Sequence, residues 1–283
     1  MMTMSIANPF VTPPSWERHA ISVSGRSGRT IGTKCRAGSA SDLPRIGRLC
    51  IFGAVSGVLL LLFASRAAAG PFEEGLLAYT QGDYQSALRI WRPLAEEGDA
   101  AAQFNIGLLY DTGQGIDEDP GAAAHWYRLA ADQGYAKAQL NLGDLYASGR
   151  GVPQDFLKAA ELYEEASTQR NANARYKLGY LYHHGSGVSQ DLKQAVRLYQ
   201  QAADQGLAEA QLMLGILYSL GEAVPQDLQT AYVWLSLAMV FGSSDEGRAK
   251  AKTSLEIIEA KMKPEQIAMA RQRASEWTPR VSP

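Results

Sequence analysis

Laid over itself at a shift of 36 residues, the chain matches column after column. Gly107, Gly143, Gly179 and Gly215 share one column, and Tyr110, Tyr146, Tyr182 and Tyr218 follow three residues on. Next come Gly113, Gly149, Gly185 and Gly221, then Asp119, Asp155, Asp191 and Asp227. Ala123, Ala159, Ala195 and Ala231 close the pattern, and no insertion interrupts the register. A fixed period of this length marks a solenoid, in which each unit buries its apolar face only against its neighbours.

Each unit reads as helix, loop, helix. The first helix spans roughly Ala102 to Tyr110, with Ile106, Leu109 and Tyr110 at helical spacing. A glycine inside it costs about 1 kcal/mol against alanine. Its recurrence predicts a neighbour too close for a side chain. Gly113, Gly149 and Gly185 stand where a left-handed residue satisfies the last carbonyls of that helix. The aspartate column opens the second helix as its cap, with Pro120 at the first helical position and Gln194 placed to complete a capping box with Asp191. Trp126, Leu162, Leu198 and Trp234 then precede Tyr127, Tyr163, Tyr199 and Leu235, and the helix ends at Gly134, Gly206 and Gly242. Two positions depart: Arg170 replaces an expected end glycine, and Ala223 an expected loop glycine.

These residues resemble the Sel-one-like repeat (SLR) family, a relative of the tetratricopeptide repeat. The pattern stands most completely as Ala138, Leu142, Gly143, Tyr146, Gly149, Gly151, Val152, Asp155 and Ala159. Upstream, Gly75, Tyr79, Gly82, Asp83, Tyr84, Ala87 and Trp91 look more like a tetratricopeptide unit with a shorter loop. The expected fold is all-α: a right-handed superhelical solenoid of stacked helix-turn-helix repeats. Residues 70–101 form the tetratricopeptide-like unit and residues 102–244 the four repeats. Residues 245–283 supply two amphipathic capping helices, broken at Pro264, and a tail.

The remaining residues read as an address. Residues 1–48 are rich in Ser, Gly, Pro and Arg and too poor in apolar side chains to offset chain entropy, so they read as a disordered basic leader. An apolar run begins at Leu49, and residues 49–69 end in Ala67, Ala68 and Ala69. That describes a secretory signal cleaved after Ala69, or an uncleaved signal anchor, and it places the chain in the periplasm or on the inner membrane. The leader is long for a signal peptide, and its poverty in acids leaves an organellar transit peptide as a third reading. Eight of the 27 basic residues and two of the 29 acidic ones lie before residue 70, so residues 70–283 carry a formal charge of −8. Such a body is unsuited to the phosphate backbone of a nucleic acid. Cys35 and Cys50 both precede it, which removes a disulfide scaffold, a thiolate zinc site and a cysteine nucleophile from the repeats.

No catalytic constellation, cofactor motif or metal-ligand set is evident. Adjacent His183 and His184 point to different helix faces and read as surface residues near a helix end; His125 reads as a half-exposed packing residue. What remains is a binding face. In stacked helical hairpins the first helices line a groove. Leu109, Leu145, Leu181 and Leu217 are uniform and read as core, whereas Leu108, Asp144, Tyr180 and Ile216 change chemistry from repeat to repeat, as do Asp111 and His183 in their column. With Phe104, Leu140, Tyr176 and Leu212 one turn earlier, these residues are the expected partner-binding groove.

The expected function is a non-enzymatic scaffold or regulator in a bacterial envelope, its partner an envelope or membrane protein. Membrane contact would run only through the uncleaved apolar segment. Two rivals stand beside it: a cell-wall enzyme of the β-lactam-binding kind, which the resemblance implies but whose paired cysteines are missing from the repeats, and a purely structural spacer.

Overall fold

The computed structural model describes residues 70–280, in twelve α-helices. The basic leader 1–48, the apolar segment 49–69 and the cleavage position after Ala69 lie outside the described residues. Among the described residues no helix is long and apolar enough to cross a membrane. The chain divides into two compact units between Trp91 and Arg92.

The first unit comprises α1 (Pro71–Thr80) and the beginning of α2 (Tyr84–Glu96). It is organised around one indole. Trp91 is completely buried, and its Nε1–H donates to the Phe72 carbonyl at 3.2 Å. Gly75 lies against the indole so closely that a Cβ there would collide with it. Tyr79 adds a ring 5.8 Å from Trp91.

The second unit carries the remaining helices as hairpins: α3 (Ala100–Thr112) with α4 (Pro120–Ala131), and α5 (Ala136–Ser148) with α6 (Phe156–Thr168). Then come α7 (Ala172–His184) with α8 (Leu192–Asp204), and α9 (Ala208–Leu220) with α10 (Leu228–Phe241). The first helices start two residues before the expected Ala102, because Asp99 caps α3 by accepting from the Ala102 amide at 2.7 Å.

The aspartate column caps the second helices as expected. Asp119 accepts from the Ala122 amide at 2.9 Å, Asp155 from Lys158 at 3.0 Å and Asp191 from Gln194 at 2.9 Å. The capping box at Gln194 does not form. The Asp191 amide is already spent on the Tyr182 carbonyl at 3.0 Å, so the glutamine side chain has nothing to accept from. The same bond recurs from Asp119 to Tyr110, Asp155 to Tyr146 and Asp227 to Tyr218, and it fixes the loop in every repeat.

The glycine column has the close neighbour that its recurrence requires. A Cβ on Gly107 would stand 2.7 Å from the Tyr127 ring, on Gly143 2.6 Å from Tyr163, and on Gly179 3.0 Å from Tyr199. On Gly215 it would stand 2.5 Å from Leu235. These four partners, in one column of the second helices, are fully buried. Arg170 and Ala223 take the left-handed φ of the glycines they replace, at 65° and 61°. Gly242 differs: it closes α10 at a φ of −59°, outside the left-handed region.

After α10 the period stops, and α11 (Asp245–Glu259) and α12 (Pro264–Glu276) cover its end. Leu255, Ile258, Met262 and Ala270 join Val233, Trp234 and Leu237 in one apolar cluster, and Trp277 packs edge-on to Trp234 at 6.3 Å.

Candidate protein-interaction site

Behind the first helices lies the uniform core. Leu109, Leu145, Leu181 and Leu217 are buried. The outward row differs: Phe104, Leu108, Asp111, Leu140, Asp144, Tyr180 and Leu212 are half-buried, while Tyr176, His183 and Ile216 are buried. Phe104 packs on Tyr127 at 5.7 Å and Tyr135 at 5.3 Å, and Tyr176 packs on Tyr199 at 5.7 Å. The row therefore mixes anchored rings with accessible side chains.

Two histidine readings need correction. His183 is 7% exposed, not a surface residue, and its ring stacks on His184 at 4.8 Å instead of turning to another face. The helix ends at His184, so that side chain has no following turn to confine it and folds back over its neighbour. Desolvation lowers the pKa of both, opposed at His183 by Glu222 and reinforced at His184 by His183. His125 is exposed and only touches the edge of Trp126. No group of three potential metal ligands occurs among the described residues.

The second-helix tyrosines reach through to the first-helix face, a feature the sequence pattern left unread. The Tyr127 hydroxyl donates to Asp111 at 3.2 Å and accepts from Asn141 at 3.1 Å, and Arg150 from the next repeat pairs with Asp111 at 2.5 Å. The Tyr163 hydroxyl donates to Asp144 at 2.7 Å, and Lys177 from the next repeat pairs with that carboxylate at 3.0 Å. Burial raises the pKa of Asp111 despite Arg150. Burial and the adjacent carboxylates push both phenols above their ordinary range, so the hydroxyls remain donors.

A second polar ladder runs through the hairpins at a spacing of 30 residues. Gln133 donates to Gln103 at 2.8 Å and Gln169 to Gln139 at 2.9 Å. Gln205, its amide oxygen turned to the guanidinium, faces Arg175. The fourth rung is missing: Phe241 occupies the sequence position of the second glutamine, and the buried Gln211 Oε1 has no partner. The signal for this ladder was present in the 36-residue columns, as Gln103, Gln139, Gln211 and as Gln133, Gln169, Gln205.

Away from the first-helix row, an open cavity of about 500 Å³ is lined by Asp204, Trp234, Arg273 and Trp277. Arg280 closes over part of it, its amide donating to the Asp204 carbonyl at 2.7 Å.

The Sel1 repeat family model matches the chain four times, over residues 100–135, 136–171, 172–207 and 208–238. A Sel1 repeat protein from Oxalobacter formigenes, of known crystal structure, is 32% identical. That match covers 72% of this chain and 83% of the other, with a TM-score of 0.61. A protective antigen present in uropathogenic Escherichia coli strains, displaying an SLR fold, is 26% identical with a TM-score of 0.57. Here 73% of this chain is covered and 53% of the antigen, so the match spans about half of the antigen's length. No curated protein matches the chain.

Proposed function

The chain belongs to the Sel1 repeat family, whose members generally mediate protein–protein interaction, and on that premise we propose that it is a non-enzymatic scaffold or regulator of the bacterial cell envelope. It holds a protein partner along the first-helix face. The observation that carries this reading is the outward row itself. Leu108, Asp144 and Tyr180 occupy equivalent, half-buried positions with aliphatic, acidic and aromatic chemistry over a uniform leucine core. A surface serving only as packing has no reason to vary that way. One reading different side chains along a bound segment does.

The partner is an envelope or membrane protein, and the chain reaches it by export, through cleavage after Ala69 or through anchoring by residues 49–69. A photo-reactive residue placed at position 108, 144 or 180 in cells should cross-link one discrete partner. The same residue at the exposed second-helix position Arg197 should not. Equal labelling from both faces would refute the groove. Amino-terminal sequencing of the cellular protein tests export: a start near Gly70 supports cleavage, and an intact amino terminus in the soluble cytosolic fraction refutes export altogether.

A further inference from the structure

Each of the first two repeats completes the same three-part constellation. A tyrosine hydroxyl from the second helix, a carboxylate from the first, and a basic side chain from the following repeat meet at one point. They are Tyr127, Asp111 and Arg150, then Tyr163, Asp144 and Lys177.

The third repeat keeps the tyrosine and loses both the carboxylate and the base. Glu222 and Met213 stand where Arg150 and Lys177 stand in the constellations before it, which leaves His183 as the one group there able to carry positive charge. At the two positions that supply the carboxylate elsewhere stand His183, equivalent to Asp111, and Tyr180, equivalent to Asp144. The Tyr199 hydroxyl is left fully buried with no partner, and His183 Nδ1, on a 7% exposed residue, has none either. Their rings lie 6.2 Å apart, centroid to centroid, while His183 Nε2 faces Glu222 at 3.7 Å. A buried polar group without a bond costs about 1–3 kcal/mol. Two such groups side by side on a binding face are a cost that a ligand can relieve. The fourth repeat avoids it by placing Leu235 in the tyrosine column.

Resting on the interaction reading above, we propose that the third repeat binds an acidic side chain, Asp or Glu, of the protein partner. Its carboxylate takes the place that Asp111 and Asp144 fill in the preceding repeats. One oxygen accepts from the Tyr199 hydroxyl and the other from His183 Nδ1–H. Two bonds of about 2.7–3.0 Å through one carboxylate suit rings at this separation. The half-buried Tyr180 is the neighbour that turns aside to admit it.

The test uses the full chain and a display library of random twelve-residue peptides fused at both ends, so that side chains are the sole carboxylates offered. Selected peptides should share one Asp or Glu, and its replacement by Asn or Gln should weaken binding at least tenfold. Tyr199→Phe should weaken the acidic peptide by a similar factor and leave the amide peptide unchanged. Tyr180→Asp, which rebuilds the acceptor of the second repeat, should raise the thermal midpoint and abolish the acidic preference. Because Tyr199→Phe removes an unsatisfied hydroxyl, it should not lower the midpoint, so lost binding cannot be lost folding. Peptides that bind without an acidic requirement, or whose acidic preference survives Tyr199→Phe, overturn this inference while leaving the interaction reading in place. A library that yields no binder, or binders unaffected by charge reversal at Asp144, overturns both.

Discussion

In the second repeat Gly143 lies under the phenol ring of Tyr163, whose hydroxyl binds Asp144; in the fourth, Gly215 lies under Leu235, which has nothing to bind. The second repeat also closes its glutamine rung, from Gln169 to Gln139, whereas the fourth has Phe241 at the second glutamine's position and leaves Gln211 Oε1 bare. The backbone is common to both, down to the aspartate cap and the left-handed loop glycine. What differs is the chemistry threaded between the helices. An interior repeat has another repeat on either side and can distribute polar partners among three hairpins. The last repeat faces α11, α12 and the turn between them, which offer Leu255, Ile258 and Met262, and it answers with Val233, Trp234 and Leu237. In the first two repeats the network ties one repeat to the next through Arg150 and Lys177. Where stacking stops, apolar packing takes over.

The strongest way to break this comparison is to remove the rings. Tyr163→Ala should destabilise the protein by about 3–5 kcal/mol in urea unfolding, since it opens a cavity and leaves Asp144 and Lys177 paired beside it. Leu235→Ala should cost less, near the lower end of the about 2–5 kcal/mol seen for leucine, because no polar partner is left behind. If Leu235→Ala proved the costlier, the hydroxyl network would contribute nothing to the stacking. Next in size is Gly143→Ala, at about 1–3 kcal/mol, because the added Cβ meets a rigid ring at 2.6 Å. Gly215→Ala meets the pliable Leu235 side chain and should cost less.

Most of this architecture was legible in the sequence, and the reasons are local. A glycine column, an aspartate column and a loop glycine each report a backbone requirement within one hairpin, so a 36-residue shift exposes them. The polar ladders were harder, since each rung joins residues 16 to 39 apart on different elements. Their columns repeat too, but glutamine and tyrosine announce no geometry of their own. The failed capping box at Gln194 shows the same limit: its amide was claimed by a tyrosine carbonyl nine residues back, through a loop bond that side-chain spacing cannot reveal. The groove row was readable as a face but not in depth. Periodicity separates Tyr180 from Leu181, yet it does not tell that Tyr176 and His183 sink below the surface.

The comparison sharpens when the third repeat is added, because it keeps the tyrosine of the second without its acceptor. Tyr163→Phe should cost about 1.5–3 kcal/mol, the net worth of a hydrogen bond to a charged group, whereas Tyr199→Phe should be neutral or stabilising. Equal losses would mean that the Tyr199 hydroxyl is bonded in solution. The two irregular loop positions offer smaller gains. Arg170→Gly and Ala223→Gly should each stabilise by about 1 kcal/mol, by relieving a left-handed φ of 65° and 61° in a side-chain-bearing residue.

The smallest expected effect is a pH dependence confined to the third repeat. Burial lowers the folded-state pKa of His183, with Glu222 opposing, and of His184, with His183 adding to the shift. A histidine with a depressed folded pKa binds protons more readily once unfolded, so its share of stability is fully present above its unfolded pKa of about 6.5 and is lost as pH falls through the folded value. The urea midpoint should therefore decline from pH 7.5 to pH 5.5. Asp83, Asp155 and Asp227, all held below the usual carboxylate range, act later, as pH falls below about 4. Asp111, raised by burial, works in the opposite direction. Since neither set involves the third repeat's histidines, the double replacement His183→Gln with His184→Gln isolates their part. It should flatten the slope between pH 7.5 and 5.5 and leave the acid limb below pH 4 in place. A slope that survives the replacement would place the proton uptake outside the third repeat.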